Sequence, residues 1–90
     1  MKYIDWNEEK NQQLKDERDI SFEEVLLAIS EGNLLDIVRN ANKYPHQHIF
    51  IVKIGGYAYL VPFVEDEEKI FLKTVIPSRK ATKKYLIDRH

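Results

Sequence analysis

The residues best suited to chemistry lie near the C-terminus, in Pro77-Ser78-Arg79-Lys80-Ala81-Thr82-Lys83-Lys84. Pro77 and Ser78 read as a helix start, so four cations fall in the first two turns, where the positive end of the macrodipole opposes them. Arg79/Lys83 and Lys80/Lys84 are also like-charged i,i+4 pairs, each unfavourable by about 0.2 to 0.5 kcal/mol. A cluster of this kind makes sense where an anion compensates it. Arg79 is the residue most suited to a phosphate, because its planar fork donates two hydrogen bonds where lysine offers a point charge. The competing reading is a solvated basic end without a ligand. Lys73 alternates with Lys69, Phe71 and Val75, so a strand there presents a partly cationic face leading toward Arg79.

Tyr57 and Tyr59 share one face of the preceding segment. Cations interleaved with rings are what a single-stranded nucleic acid requires, since cations hold phosphates while rings stack on bases. Tyrosines in a strand are also commonly half-buried sheet residues. His46 and His48, two apart, have the spacing of a general base or a metal pair, but no third ligand stands nearby in sequence. Glu65 opens the acidic run Glu65-Asp66-Glu67-Glu68, which offers a proton acceptor at a strand end or simply a solvated turn. Trp6, the single indole, suits packing under a helix better than base stacking. There is no glycine-rich phosphate loop, no serine-histidine-acid arrangement and no zinc-ligand spacing, which argues against a nucleotide-cofactor enzyme.

Several elements must position these residues. Asn7 with Glu8 and Glu9 marks a polar surface helix running to about Arg18, anchored by Leu14. Ser21 and Glu24 form the S-x-x-E capping pattern of a second helix, with Ile20 and Val25 at the staple positions. Phe22, Val25, Leu26 and Ile29 make its apolar stripe, which Gly32 closes. Leu34 to Arg39 reads as a strand, followed by a loop through Asn40, Asn42 and Pro45. His48 to Ile54 and Tyr57 to Val64 form a hairpin around Gly55-Gly56, and Lys69 to Ile76 is the next strand. Pro62 requires an edge or a bulge, because it cannot donate to a ladder. A last helix runs from Arg79 to about Asp88. The expected fold is thus α+β: two N-terminal helices, a mainly antiparallel sheet of about four strands and a C-terminal helix.

At 90 residues the chain makes one domain, residues 1–90, too small to enclose a large substrate cavity, so any active site should be an open groove. It has no cysteine, which removes disulfides and thiolate chemistry. The apolar runs fall short of the ~20 residues of a membrane span, and the acidic start does not resemble a secretory leader. The expectation is a cytoplasmic protein without membrane contact. The net charge of −1 conceals a gradient: the balance is −6 over Met1 to Asp36 and +6 over Lys69 to His90. That asymmetry suits an anionic ligand or an acidic partner for the C-terminal part.

These residues resemble one family. Trp6-Asn7 with Lys10, followed by Ile20-Ser21-Phe22-Glu23-Glu24, looks like the W-D-x-x-K and (I/V)-S-F-E-E opening of BrnT-type toxins. Phe63 and Glu65 resemble that family's F-T-E strand end, and Ser78-Arg79-Lys80-Ala81-Thr82 resembles its A-R-R-A-T. Arg18-Asp19 stands where the family usually has His-Gly, the turn after Glu65 looks about three residues longer, and Lys73 only approximately matches a family arginine. The resemblance implies a RelE-like fold and a metal-independent endoribonuclease that inhibits translation by cutting RNA. It also implies inhibition by a cognate DNA-binding antitoxin, through which the pair reaches operator DNA. No cofactor or metal is implied. Carried over by position, it marks Glu65, Arg79 and Lys80 as active-site candidates, to which the residues themselves add Lys73 and His48. Tyr57, Tyr59, Lys83 and Lys84 are the candidates for holding RNA. The alternative is a non-catalytic interaction module whose basic C-terminal segment docks an acidic protein partner.

Overall fold

The computed structural model describes residues 2–39 and 47–87. The loop expected through Asn40, Asn42 and Pro45, the candidate His46, and Asp88 at the expected end of the last helix lie outside the described residues. A short strand, β1 (Tyr3–Trp6), precedes helices α1 (Glu8–Arg18) and α2 (Phe22–Ser30). Strands β2 (Leu34–Arg39), β3 (Gln47–Ile54), β4 (Tyr57–Glu65), β5 (Lys69–Leu72) and β6 (Ile76–Pro77) follow, then one helical turn, α3 (Arg79–Thr82), and a π-helical turn, Lys83–Ile87.

Both N-terminal helices start where the capping residues require. The Asn7 side chain accepts from the Lys10 N–H at 2.9 Å, and Ser21 Oγ accepts from the Glu24 N–H at 3.2 Å. Helix α1 ends on Asp19 at φ 54°, a left-handed position that glycine adopts without strain. Gly55 and Gly56, at φ 60° and 78°, make the two-residue turn between β3 and β4 and fix Ile54 opposite Tyr57.

The sheet runs β1-β5-β4-β3-β2, with β6 also on β4. The α+β class matches the expectation, but a strand precedes the two helices, and among the described residues the sheet has six strands and is mixed. The strand missed in sequence, β1, pairs with β5 in parallel. Four residues alternating Tyr3/Asp5 against Ile4/Trp6 carry a period-two signal too short to stand out. The expected strand Lys69 to Ile76 is also divided. Lys73 to Val75 face only Val61 and Pro62, because the pairing shifts by one between Phe63↔Leu72 and Leu60↔Ile76. Of the edge or bulge that Pro62 required, this is the bulge. It turns Val75 away from Lys73 and into the core, where it is fully buried, so Val75 does not continue the Lys69-Phe71-Lys73 face. Arg18 Nη1 donates to the Val75 carbonyl at 2.7 Å, tying the bulge to α1.

Two apolar clusters lie on opposite faces of the sheet. Leu14, Ile20, Phe22, Val25 and Ala28 from the helical segment pack on Phe50, Val52, Val61, Phe63, Leu72 and Val75. The other face holds a smaller cluster in which Ala81 of α3 meets Ile51 and Ala58, with Tyr85 and Leu86 packed against it. We call these the α1–α2 face and the α3 face. Through the described residues the expected C-terminal helix is one α turn followed by a π turn, pressed on the sheet by Ala81, Tyr85 and Leu86. Among the described residues, no helix is long and apolar enough to cross a membrane.

Candidate nucleic-acid interface

Strand alternation decides which candidates can meet. On β4, Tyr57, Tyr59, Val61, Phe63 and Glu65 fall on the α1–α2 face, while Ala58, Leu60, Pro62 and Val64 fall on the α3 face. Register then puts His48, opposite Phe63, on the α1–α2 face. Phe71 lies opposite Val64, and the Lys73 N–H reaches the Pro62 carbonyl at 2.8 Å, so both belong to the α3 face.

Glu65 and His48 come together at one end of the α1–α2 face, in an open recess lined by Lys2, His48, Glu65, Asp66 and Glu67. The Lys2 ammonium pairs with the Glu65 carboxylate, and the His48 ring stacks on Phe63 with centroids 5.6 Å apart. His48 Nδ1 is buried and accepts no hydrogen bond among the described residues. Lys2 was missed in sequence, since it is brought here only by the parallel pairing of β1. The Asp66 carboxylate accepts from the Glu68 and Lys69 N–H groups, each at 2.8 Å, which shapes the acidic turn and holds its pKa below the usual range, the Lys69 N–H contributing most.

Arg79 and Lys80 stand elsewhere. Pro77 pairs with Tyr59, six residues along β4 from Glu65, a separation of roughly 20 Å at about 3.3 Å per residue. The start of α3 is fixed to β4 by polar contacts: the Ser78 N–H reaches the Ala58 carbonyl at 3.0 Å, and the Ala58 N–H donates to Thr82 Oγ1 at 2.9 Å. Thr82 Oγ1 in turn donates to the Ser78 carbonyl at 2.8 Å, and Ser78 Oγ accepts from the Ala81 N–H at 3.0 Å. Within Ser78-Arg79-Lys80-Ala81-Thr82, three residues thus hold the turn in place. The other two are exposed, and the side chain of neither makes an ion pair or hydrogen bond among the described residues. Lys83 is exposed in the same way, while the Lys84 ammonium lies 5.2 Å from the Tyr85 ring.

The tyrosines expected to stack bases lie on the face opposite Lys73. Tyr59 packs against the larger core and meets the Tyr57 ring edge-on at 5.9 Å. Both are half-buried sheet residues. Trp6 stacks on Phe22 at 5.5 Å and donates from Nε1 to Glu8 at 2.6 Å, so the indole is structural. Among the described residues no group of three or more His, Cys, Asp or Glu could hold a metal ion.

The structure therefore brings Lys73, Arg79, Lys80, Lys83 and Lys84 to the α3 face and its covering turns, and His48 with Glu65 to a recess on the other face. Compared with known proteins, the chain matches no family model, no curated protein and no solved structure.

Proposed function

We propose that this chain binds single-stranded RNA along the α3 face and cleaves it without a metal, as the toxin of a toxin–antitoxin pair with a RelE-like fold. One observation carries the reading. In the C-terminal motif, Ser78, Ala81 and Thr82 are consumed by the fold, whereas Arg79 and Lys80 are left exposed and unpaired next to further cations. Like charges on adjacent turns cost stability, so their local arrangement is explained by an anion rather than by the fold.

RNA supplies its own nucleophile. The 2′-hydroxyl attacks the neighbouring phosphorus, loses its proton, and the 5′ oxygen leaves and takes up a proton. Arg79 stabilises the charge gathering on the phosphate, while Lys80 and Lys73 position the backbone. Glu65 and His48 stand too far along β4 to take the proton at a phosphate held by Arg79, so this reading assigns the proton to water. Cleavage then rests on orientation and charge.

The same separation favours a second reading, an interaction module without chemistry whose basic segment docks an acidic protein. Incubating the purified chain with unstructured and structured RNA in excess chelator separates them. Cleavage is expected, and its absence alongside tight binding of an acidic peptide supports the module. Expression of the chain alone should arrest growth, and a cognate antitoxin should relieve the arrest.

A further inference from the structure

Among the described residues the α3 face is only half covered. Ala81, Tyr85 and Leu86 lie over Ile51, Ala58 and Leu60, at the Gly55-Gly56 end of the sheet. Toward the other end the same face carries Val64, Pro62 and Phe71, and beyond Phe71 comes β1 with Asp5 opposite Phe71 and Tyr3 opposite Lys69. Tyr3 is 55% exposed and Val64 37%, and no described element covers them. Phe71 is half-buried, with the Lys69 and Lys73 ammoniums 5.7 and 5.6 Å from its ring centroid. Lys69 also lies 3.7 Å from Asp5, whereas Lys73 has no carboxylate partner among the described residues.

We infer that Phe71, flanked by Lys69 and Lys73, is the base-stacking platform of this face, and that a single RNA strand runs from it past Lys73 to Arg79 and Lys80. The inference rests on the RNA reading above and replaces Tyr57 and Tyr59 as the stacking residues. A ring with ammoniums beside it serves a base and the phosphates that flank it together. The run Lys69, Lys73, Arg79, Lys80 suits a polyanion that tracks the sheet; of the carboxylates on the same face, Asp5 lies 3.7 Å from Lys69 and Asp36 accepts from the Tyr85 phenol. Pairing of Pro77 with Tyr59 and of Phe71 with Val64 puts the two ends five residues apart along β4, roughly 17 Å at about 3.3 Å per residue. That is a distance for a strand of several nucleotides rather than for one small anion.

The test is affinity for a fluorescently labelled single-stranded oligouridylate across a salt series, on the full chain and its Phe71→Leu, Phe71→Trp, Lys73→Gln and Arg79→Ala variants. Phe71→Leu should weaken binding about 5- to 100-fold without changing the salt slope, since stacking carries no counterion release. Phe71→Trp should bind at least as well as the parent, an outcome that a merely structural phenylalanine does not predict. Lys73→Gln should lower the slope by roughly 0.7, the share of one phosphate on a single strand. If Phe71→Leu binds like the parent while Arg79→Ala is weakened, the platform is refuted and RNA binding stands. If the parent binds no RNA, both fail; Phe71-dependent binding of polyglutamate would then assign the face to an acidic protein.

Discussion

The two faces of the sheet are built to different standards. Among the described residues, eleven buried apolar side chains interlock on the α1–α2 face, and a buried asparagine there is employed in the fold. Asn11, 1% exposed, accepts from the Phe22 N–H at 2.8 Å and donates to Glu23 at 2.8 Å, joining the two helices. On the α3 face the cluster has three buried members, and the segment covering it is held by Thr82, Ser78 and the Tyr85 phenol, which donates to Asp36 at 2.6 Å. One face spends its residues on stability. The other keeps cations and rings in water, at some cost to packing.

The sharpest contrast is in stability against activity. Phe22 is fully buried and stacked on Trp6, so Phe22→Ala should destabilise the fold by about 3 to 5 kcal/mol, a large part of what a domain of this size possesses. Denaturant titration measures it, and a loss below about 1 kcal/mol would mean that the α1–α2 face is not the main source of stability. Arg79→Ala should leave the melting temperature within a few degrees of the parent, yet reduce RNA cleavage by about two orders of magnitude, the usual cost of one preorganised donor. Equal cleavage by parent and variant would remove Arg79 from the mechanism.

A smaller effect compares the caps of the two faces. Thr82→Val keeps the shape but removes the acceptor of the buried Ala58 N–H, and should cost about 1 to 3 kcal/mol. Ser21→Ala, which removes the α2 cap, should cost about 1 kcal/mol. If the order were reversed, the π-turn segment would be held by its apolar contacts and not by the Thr82 bond.

How much was legible in the sequence follows the same division. Asn7, Ser21, Gly32 and Gly55-Gly56 act through neighbours a few residues away, so helix starts, helix ends and the central hairpin could be read off directly. Pro62 announced an edge or a bulge because it lacks a donor, and the pairing shift beside it is the bulge. Pairings distant in sequence could not be read: β1 joins β5 across more than sixty residues, and only that pairing brings Lys2 to Glu65. The candidate residues were chosen by type, which says nothing of the face. A strand turns over with each residue and a bulge shifts that alternation, which is why Val75 left the Lys73 side. Tyr57 and Tyr59 were grouped with cations that stand on the other side of the sheet.

The least of the expected effects concerns the anchor of the C-terminal segment and its dependence on pH. The Tyr85 hydroxyl, then the Ile37 N–H, lower the pKa of the Asp36 carboxyl, and Asp36 in turn raises that of the Tyr85 phenol. A carboxyl depressed in the folded chain contributes stability that is full above its unfolded value of about 4 and is lost as pH falls through the folded value. A phenol raised in the folded chain contributes below about pH 10 and loses that contribution as pH rises through its folded value. Between roughly pH 5 and 9 the two limbs leave the anchor constant. Amide exchange of the π turn, corrected for intrinsic rates, should therefore show unchanged protection across that range and a decline below about pH 4. Asp36→Asn retains an oxygen acceptor for the phenol but cannot titrate, so it should flatten the acid limb while lowering protection slightly at neutral pH. A decline of the same size in Asp36→Asn would assign the acid sensitivity to other carboxylates. The α3 segment would then hold to the sheet without the Tyr85–Asp36 bond, and the contrast between the faces would rest on Thr82 and Ala81.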